Sequence, residues 1–163
     1  MADKEINSLD NFKKQYEDLR KKYSLPDFKS LNEDFDVTRI CDVETETFLR
    51  EIRKVIVDKI LSYLKFLELF LNPSQGQVFF FVLIKGLEGN DRKLIEELYG
   101  KLGRMEIEAI SLDNEYNEKF EAEFIKRTFK EWGKIKEIMS KLLDSFKRSW
   151  KKKIGKKQES YLG

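Results

Sequence analysis

Histidine is absent from this 163-residue sequence, and cysteine occurs once, at Cys41. Without histidine the chain lacks the usual general base near neutral pH, the Ser-His-Asp and Cys-His arrangements, and every histidine-containing metal site. A single cysteine also excludes thiolate zinc sites, CxxC redox motifs and disulfides within the chain. Beside Ile40, Cys41 is interpreted as a small buried hydrophobe. These absences predict a protein that is not an enzyme and that binds no metal and no cofactor.

Phosphate-binding glycine loops and long apolar runs are missing as well. Neither GxxxxGK[ST] nor GxGxxG occurs. The longest unbroken apolar run, Val78–Ile84, has seven residues, whereas a membrane-spanning helix needs about 20. The N-terminal residues MADKEINSLD contain no apolar signal region. The sequence therefore predicts a soluble, cytoplasmic protein without a transmembrane segment.

Apolar residues recur every three or four positions over most of the chain, and only two prolines interrupt them, Pro26 and Pro73. This period is typical of helices that bury one face. The residue before a proline avoids the helical region, so each proline is expected to lie at a helix boundary. The predicted fold is all-α: a helical bundle with two long helices at about 42–71 and 113–150, two or three shorter helices, and an irregular segment at 24–41.

Two segments fit either a strand or a helix. The apolar run at 78–84 gives no periodicity that separates the two, but Ser74-x-x-Gln77 before it matches a helix-capping box. The residues at 105–112 alternate locally, and Gly103 before them is expected to end a preceding helix. Because an isolated strand would leave its backbone groups unpaired, a helix is favoured for both segments.

The first predicted helix, from about residue 4 to residue 23, carries apolar residues in the 3-4-3-4 spacing of a coiled-coil seam. Such a seam packs either against the rest of its own chain or against a second copy in a homodimer. Two heptads do not decide between these alternatives. The candidate self-association residues are Leu9, Phe12, Tyr16, Leu19 and Tyr23.

Acidic residues cluster near the start of the last helix, where Glu115, Glu118 and Glu121 recur every three residues and Glu123 lies nearby. Oxygen ligands of this kind suit Mg²⁺ or Mn²⁺, which leaves a carboxylate- and Mg-dependent enzyme as an alternative function. The lysines between these acids favour a solvated helix face instead.

Charge divides the chain into a body, residues 1–145, and a C-terminal tail, residues 146–163. The tail carries seven Lys or Arg and one Glu, a net charge of +6, whereas the body carries 25 basic and 29 acidic side chains, a net charge of −4. This division predicts a single helical domain at 1–145 followed by a basic helical extension. The candidate partner-binding residues are Lys147, Arg148, Trp150, Lys151, Lys152, Lys153, Lys156 and Lys157.

Phe146, Trp150 and Ile154 lie four residues apart in the tail, so they line one side of a helix that Gly155 is expected to end. Basic side chains around an aromatic stripe suit an anionic partner. We expect a non-catalytic helical scaffold or adaptor that binds a protein partner, or nucleic acid or a ribonucleoprotein, through the tail. Binding to a membrane surface is the alternative, less favoured because the stripe is short and Gly155 interrupts it. In a further alternative Phe146 and Trp150 belong to the core stripe, and the lysines only form a soluble tail that ends the helix.

Overall fold

The computed structural model describes residues 2–73 and 78–160, with side chains over 8–73 and 78–152. Within these ranges the chain forms six α-helices and no strand, which confirms the predicted all-α helical bundle. The helices are α1 (Ala2–Tyr23), α2 (Phe28–Phe35), α3 (Phe48–Leu71), α4 (Val78–Lys85), α5 (Gly89–Asp113) and α6 (Glu118–Ser160). A 3₁₀ turn spans Val37–Ile40.

The segment 24–41, predicted to be irregular, contains α2 and the 3₁₀ turn. The carboxylate of Asp27 accepts a hydrogen bond from the Ser30 backbone N–H at 3.0 Å, which caps the first turn of α2. Leu31 and Phe35 are buried on its inner face. Asp36, in the left-handed conformation with a φ of 55°, ends the helix. Capping and the burial of two apolar side chains therefore stabilise a short helix that its sequence pattern did not reveal.

Both ambiguous segments are helical. The run at 78–84 lies in α4, and 105–112 continues α5 without a break. The predicted helix end at Gly103 is wrong, and so is the one at Gly155, since α6 extends to Ser160. One glycine inside a helix costs only about 1 kcal/mol relative to alanine, which does not end a long helix by itself. The capping box at 74–77 lies outside the described residues.

The chain divides into two units. Unit 1 comprises Met1–Leu61 and Met105–Trp132, and unit 2 comprises Ser62–Arg104 and Gly133–Gly163. The division into a domain at 1–145 and a tail stays a prediction, and the backbone of α6 passes residues 145 and 146 without interruption. Over the described part of the chain, no helix combines the length and the apolar content needed to cross a membrane.

The core of unit 1 is rich in aromatic contacts. Phe12 of α1 lies between Phe28 of α2, at a ring-centroid distance of 6.1 Å, and Phe48 of α3, at 4.9 Å. Phe35 packs against Trp132 of α6 at 4.8 Å. The short helix α2 is thus held at both ends by ring contacts, each of which adds about 0.5–1.5 kcal/mol beyond the area it buries.

The core of unit 2 is a second aromatic cluster. Phe70 of α3 and Phe146 of α6 stack with centroids 4.4 Å apart and rings 3° from parallel. Phe66 contacts both of these rings edge-on, at 5.2 Å and 6.0 Å. Phe80 of α4 completes the cluster, 5.6 Å from Phe70. The cluster therefore holds α4 against α3 and α6.

Candidate binding surface

Helix α4 carries apolar residues on every side, and only one of its faces is buried. Its inner face consists of Phe80 and the buried Leu83. The opposite face presents Val78, Phe81 and Lys85, which lie on one side of the helix because they are three and four residues apart. Val78 is 79% exposed and Phe81 is 43% exposed. Large apolar side chains therefore face solvent on this helix.

A close backbone approach joins the end of α4 to α6. The Ser149 hydroxyl donates a hydrogen bond to the Gly86 carbonyl oxygen at 3.1 Å. A Cβ atom added at Gly86 would lie 2.4 Å from Ser149 Oγ and 2.5 Å from Ser149 Cβ. Glycine is thus required here because a methyl group would occupy the space of Ser149.

Replacing Gly86 by alanine is expected to lower the free energy of unfolding by about 1–3 kcal/mol, since overpacking forces the two segments apart. Chemical denaturation followed by circular dichroism measures the change. Gly100→Ala is the matched control: Gly100 lies within α5, and an added Cβ there meets no atom within 4 Å. That substitution is expected to raise stability by about 0.5–1 kcal/mol. Equal effects of the two substitutions would contradict the close approach.

Trp150 lies against another exposed residue of α4, Phe79, which is about 100° from Val78 around the helix axis. Its ring packs against Phe79 with centroids 5.0 Å apart, and the two side chains are 38% and 44% exposed. Phe146, one turn earlier on α6, is buried in the core of unit 2. The aromatic stripe predicted for the tail is therefore divided: Phe146 stabilises the fold, while Trp150 lies at the surface with Phe79.

Basic side chains lie next to Trp150 on α6. Lys147 and Lys151 are exposed and lie within about 100° of Trp150 around the helix axis. Arg148 and Lys152 are also exposed but lie about 160° from Trp150, on the far side of the helix. The side chains of Lys153, Lys156 and Lys157 lie outside the described residues. We call the following set the aromatic–basic surface: Val78, Phe79, Phe81, Lys85, Lys147, Trp150 and Lys151.

No protein-family model, curated protein or solved structure matches this chain. The chemistry of its own side chains is therefore the basis for proposing a function. Of the predicted tail residues, Trp150, Lys147 and Lys151 lie together in the aromatic–basic surface. The sequence pattern missed the contribution of α4, because Phe79 and Phe81 look like core residues in an unbroken apolar run.

The predicted self-association seam is in contact with its own chain. Phe12 and Tyr16 are buried, and the Tyr16 hydroxyl donates to the Pro26 carbonyl oxygen at 2.8 Å. Burial raises the pKa of the Tyr16 phenol. Leu9, Leu19 and Tyr23 are half-buried. Because two of the five residues are covered within the chain, a homodimer through this seam stays a prediction that depends on the other three.

A buried ion-pair cluster in unit 1 was not predicted from the sequence. Arg53 of α3 is 1% exposed, and its Nε donates to Glu121 Oε2 at 2.6 Å. Arg50, one turn earlier, donates to the other oxygen of Glu121 at 3.2 Å. Arg53 also pairs with Asp113 and donates to the Ala109 carbonyl oxygen at 3.3 Å. The signal in the sequence was the position of Arg53, directly beside the apolar Ile52 on a helix that buries most of its apolar side chains.

Two of the four acids considered as metal ligands, Glu118 and Glu121, are paired with cationic side chains instead. Glu121 belongs to the buried cluster with Arg53. Glu118 accepts hydrogen bonds from the Lys22 ammonium at 2.8 Å and the Tyr23 hydroxyl at 2.7 Å, and these bonds lower the pKa of Glu118. Glu115 and Glu123 are exposed. Among the side chains described, those of 8–73 and 78–152, no three Asp, Glu or Cys residues converge to hold a metal ion.

Proposed function

We propose that this chain is a non-catalytic helical adaptor that binds an anionic macromolecule or surface through the aromatic–basic surface. The observation that carries the proposal is the contact between Trp150 and Phe79 at the surface, beside Lys147 and Lys151. Exposed apolar patches bordered by charged residues commonly mark interaction sites. The cations select a negative partner, and the rings supply apolar contact area.

Electrostatics and apolar contact contribute differently to such binding. Each lysine that meets a phosphate releases a condensed counterion, so affinity falls steeply as salt rises. Aromatic side chains contribute either by stacking on unpaired bases or by entering an apolar phase. The nucleic acid predicted from the sequence and an anionic membrane both fit the first requirement. They differ in the apolar contact, since a nucleic acid offers bases for stacking and a membrane offers an apolar phase.

The proposal predicts salt-dependent binding to an anionic ligand that is lost when the exposed basic charges of α6, both within the aromatic–basic surface and beside it, are reversed. Replacing Lys147, Arg148, Lys151 and Lys152 by glutamate is expected to weaken binding at least tenfold. The measurement is affinity for single-stranded RNA and for vesicles containing phosphatidylserine, at low and physiological salt.

The matched control reverses four exposed lysines of unit 1: Lys13, Lys14, Lys21 and Lys130. Both variants change the net charge by the same amount, so a general charge effect would weaken both equally. Binding that is lost only with the α6 substitutions supports the proposal. Equal loss in the two variants, or native protein that binds neither ligand, would overturn it.

A further inference from the structure

We infer that the partner is an anionic phospholipid bilayer, into whose interface α4 and Trp150 insert. This inference rests on the proposed function and names the partner for the same surface. Its basis is the combination of an exposed apolar helix face, which includes the aliphatic Val78, with lysines on α4 and α6. A bilayer interface provides both an apolar layer and anionic headgroups within a few ångströms of each other.

Val78 distinguishes a bilayer from a nucleic acid. Its side chain is 79% exposed and has no ring on which a base can stack. Phe81 lies on the same side of α4, because it is three residues away. A single-stranded nucleic acid would leave Val78 in water, whereas the acyl boundary of a bilayer would cover it. The outer face of α4 is therefore complementary to lipid rather than to bases.

Exposed lysines of α4 and α6 lie close to the exposed apolar residues, where lipid headgroups would contact them. Lys85 is on the same side of α4 as Val78 and Phe81, at the end of the helix. Its long side chain can keep the ammonium in water while the apolar stem follows the surface. Lys147 and Lys151 border Trp150, a residue type enriched at membrane–water interfaces. The contact between Phe79 and Trp150 thus brings the cations of α6 next to α4, whose exposed face carries Val78, Phe81 and Lys85.

The structure also removes the two reasons for ranking nucleic acid above a membrane. The exposed apolar area is not limited to the tail stripe, since the exposed ring of Phe79 in α4 packs against Trp150. Gly155 does not interrupt the tail, because α6 is helical to Ser160. A basic helix that continues past the aromatic residues is typical of helices that lie on anionic membranes.

The test measures partitioning of the full chain onto phosphatidylcholine vesicles with and without phosphatidylserine, and binding to single-stranded RNA. We expect binding to the anionic vesicles only. The double substitution Val78→Ser and Phe81→Ser is expected to weaken it at least tenfold. Its control is Ile107→Ser with Phe120→Ser, which alters residues that are 67% and 57% exposed in unit 1. This control should leave vesicle binding within about twofold of native.

A second pair of variants tests the orientation of α6. Lys147→Gln with Lys151→Gln should weaken vesicle binding about 30-fold, since each basic residue near anionic lipid is worth about a factor of five. Arg148→Gln with Lys152→Gln removes the same charge from the far side of α6 and should have a clearly smaller effect. All variants alter exposed side chains, and a native circular-dichroism spectrum confirms that each one folds.

The outcomes separate this inference from the proposed function. Binding to RNA but not to anionic vesicles would overturn the membrane inference and leave the proposed function standing. Vesicle binding that falls equally in the unit 1 control and in the α4 variant would also overturn it. Binding to neither ligand would overturn both. Selective loss with the α4 variant and the Lys147 and Lys151 variant would establish insertion of this surface.

Discussion

Replacing Glu121 by leucine is expected to lower the free energy of unfolding by about 3–5 kcal/mol. Glu121 is fully buried and accepts hydrogen bonds from Arg50 and Arg53. Its removal would leave Asp113 as the one carboxylate paired with the two arginines, so that the cluster carries a net positive charge whose desolvation is costly. Urea denaturation followed by circular dichroism measures the loss, provided that the transition is two-state.

The exposed pair of Glu137 and Lys141 is the matched control. These residues are also joined by an ion pair, at 2.7 Å, but both side chains are more than half exposed. Glu137→Leu should therefore change stability by less than about 1 kcal/mol. Combining Glu121→Leu with Arg53→Met should lower the free energy of unfolding by less than the sum of the single substitutions. The reason is that Arg53→Met removes the charge that Glu121→Leu leaves without its buried partner. If Glu121→Leu lowered the free energy of unfolding no more than Glu137→Leu does, the buried ion-pair cluster would be contradicted.

Replacing Phe146 by alanine is expected to lower the free energy of unfolding by about 3–5 kcal/mol, the second large effect. The Phe146 side chain is 4% exposed and stacks on Phe70 within the aromatic cluster of unit 2. Truncation would leave a cavity among rings held by three helices, and these can close only part of it. Thermal or urea unfolding of the variant measures the loss.

Trp150→Ala, one turn further along α6, is the control, and it should affect ligand binding more than stability. Its contact with Phe79 is at the surface, so its removal should cost only about 1 kcal/mol of stability. The same substitution should weaken binding of the anionic ligand. If Trp150→Ala destabilised the chain as much as Phe146→Ala, the assignment of one ring to the core and the other to the binding surface would be wrong.

Much of the fold could be predicted because helices have a local signature. The period of three and four residues identified the long helices, and the absence of a partner strand correctly favoured helix for 78–84 and 105–112. Helix α2 was missed because its stabilisation comes from the Asp27 cap and from burial of Leu31 and Phe35, which a short pattern does not reveal. The ends expected at Gly103 and Gly155 were wrong for a related reason: packing and helix length outweigh the cost of one glycine.

The candidate surface was predicted only in part. The basic residues and Trp150 were visible as a charge division in the sequence, whereas the role of α4 was not. Phe79 lies 71 residues before Trp150, and their contact exists because α4 packs against α6, as the hydrogen bond between Ser149 and Gly86 also shows. Apolar runs such as 78–84 usually signal burial, so an exposed face on that helix gives no separate signal in the sequence.

By itself, the sequence determined the all-α class, the absence of histidine, the single cysteine, and the basic tail on an acidic body. These follow from residue types and local spacing, which do not depend on how the helices meet. Only the tertiary structure decided that Phe146 is buried while Trp150 is exposed, and that Arg53 pairs with Glu121, 68 residues away. The physical reason is that a helical period assigns residues to a face, but packing between distant segments decides which faces are covered.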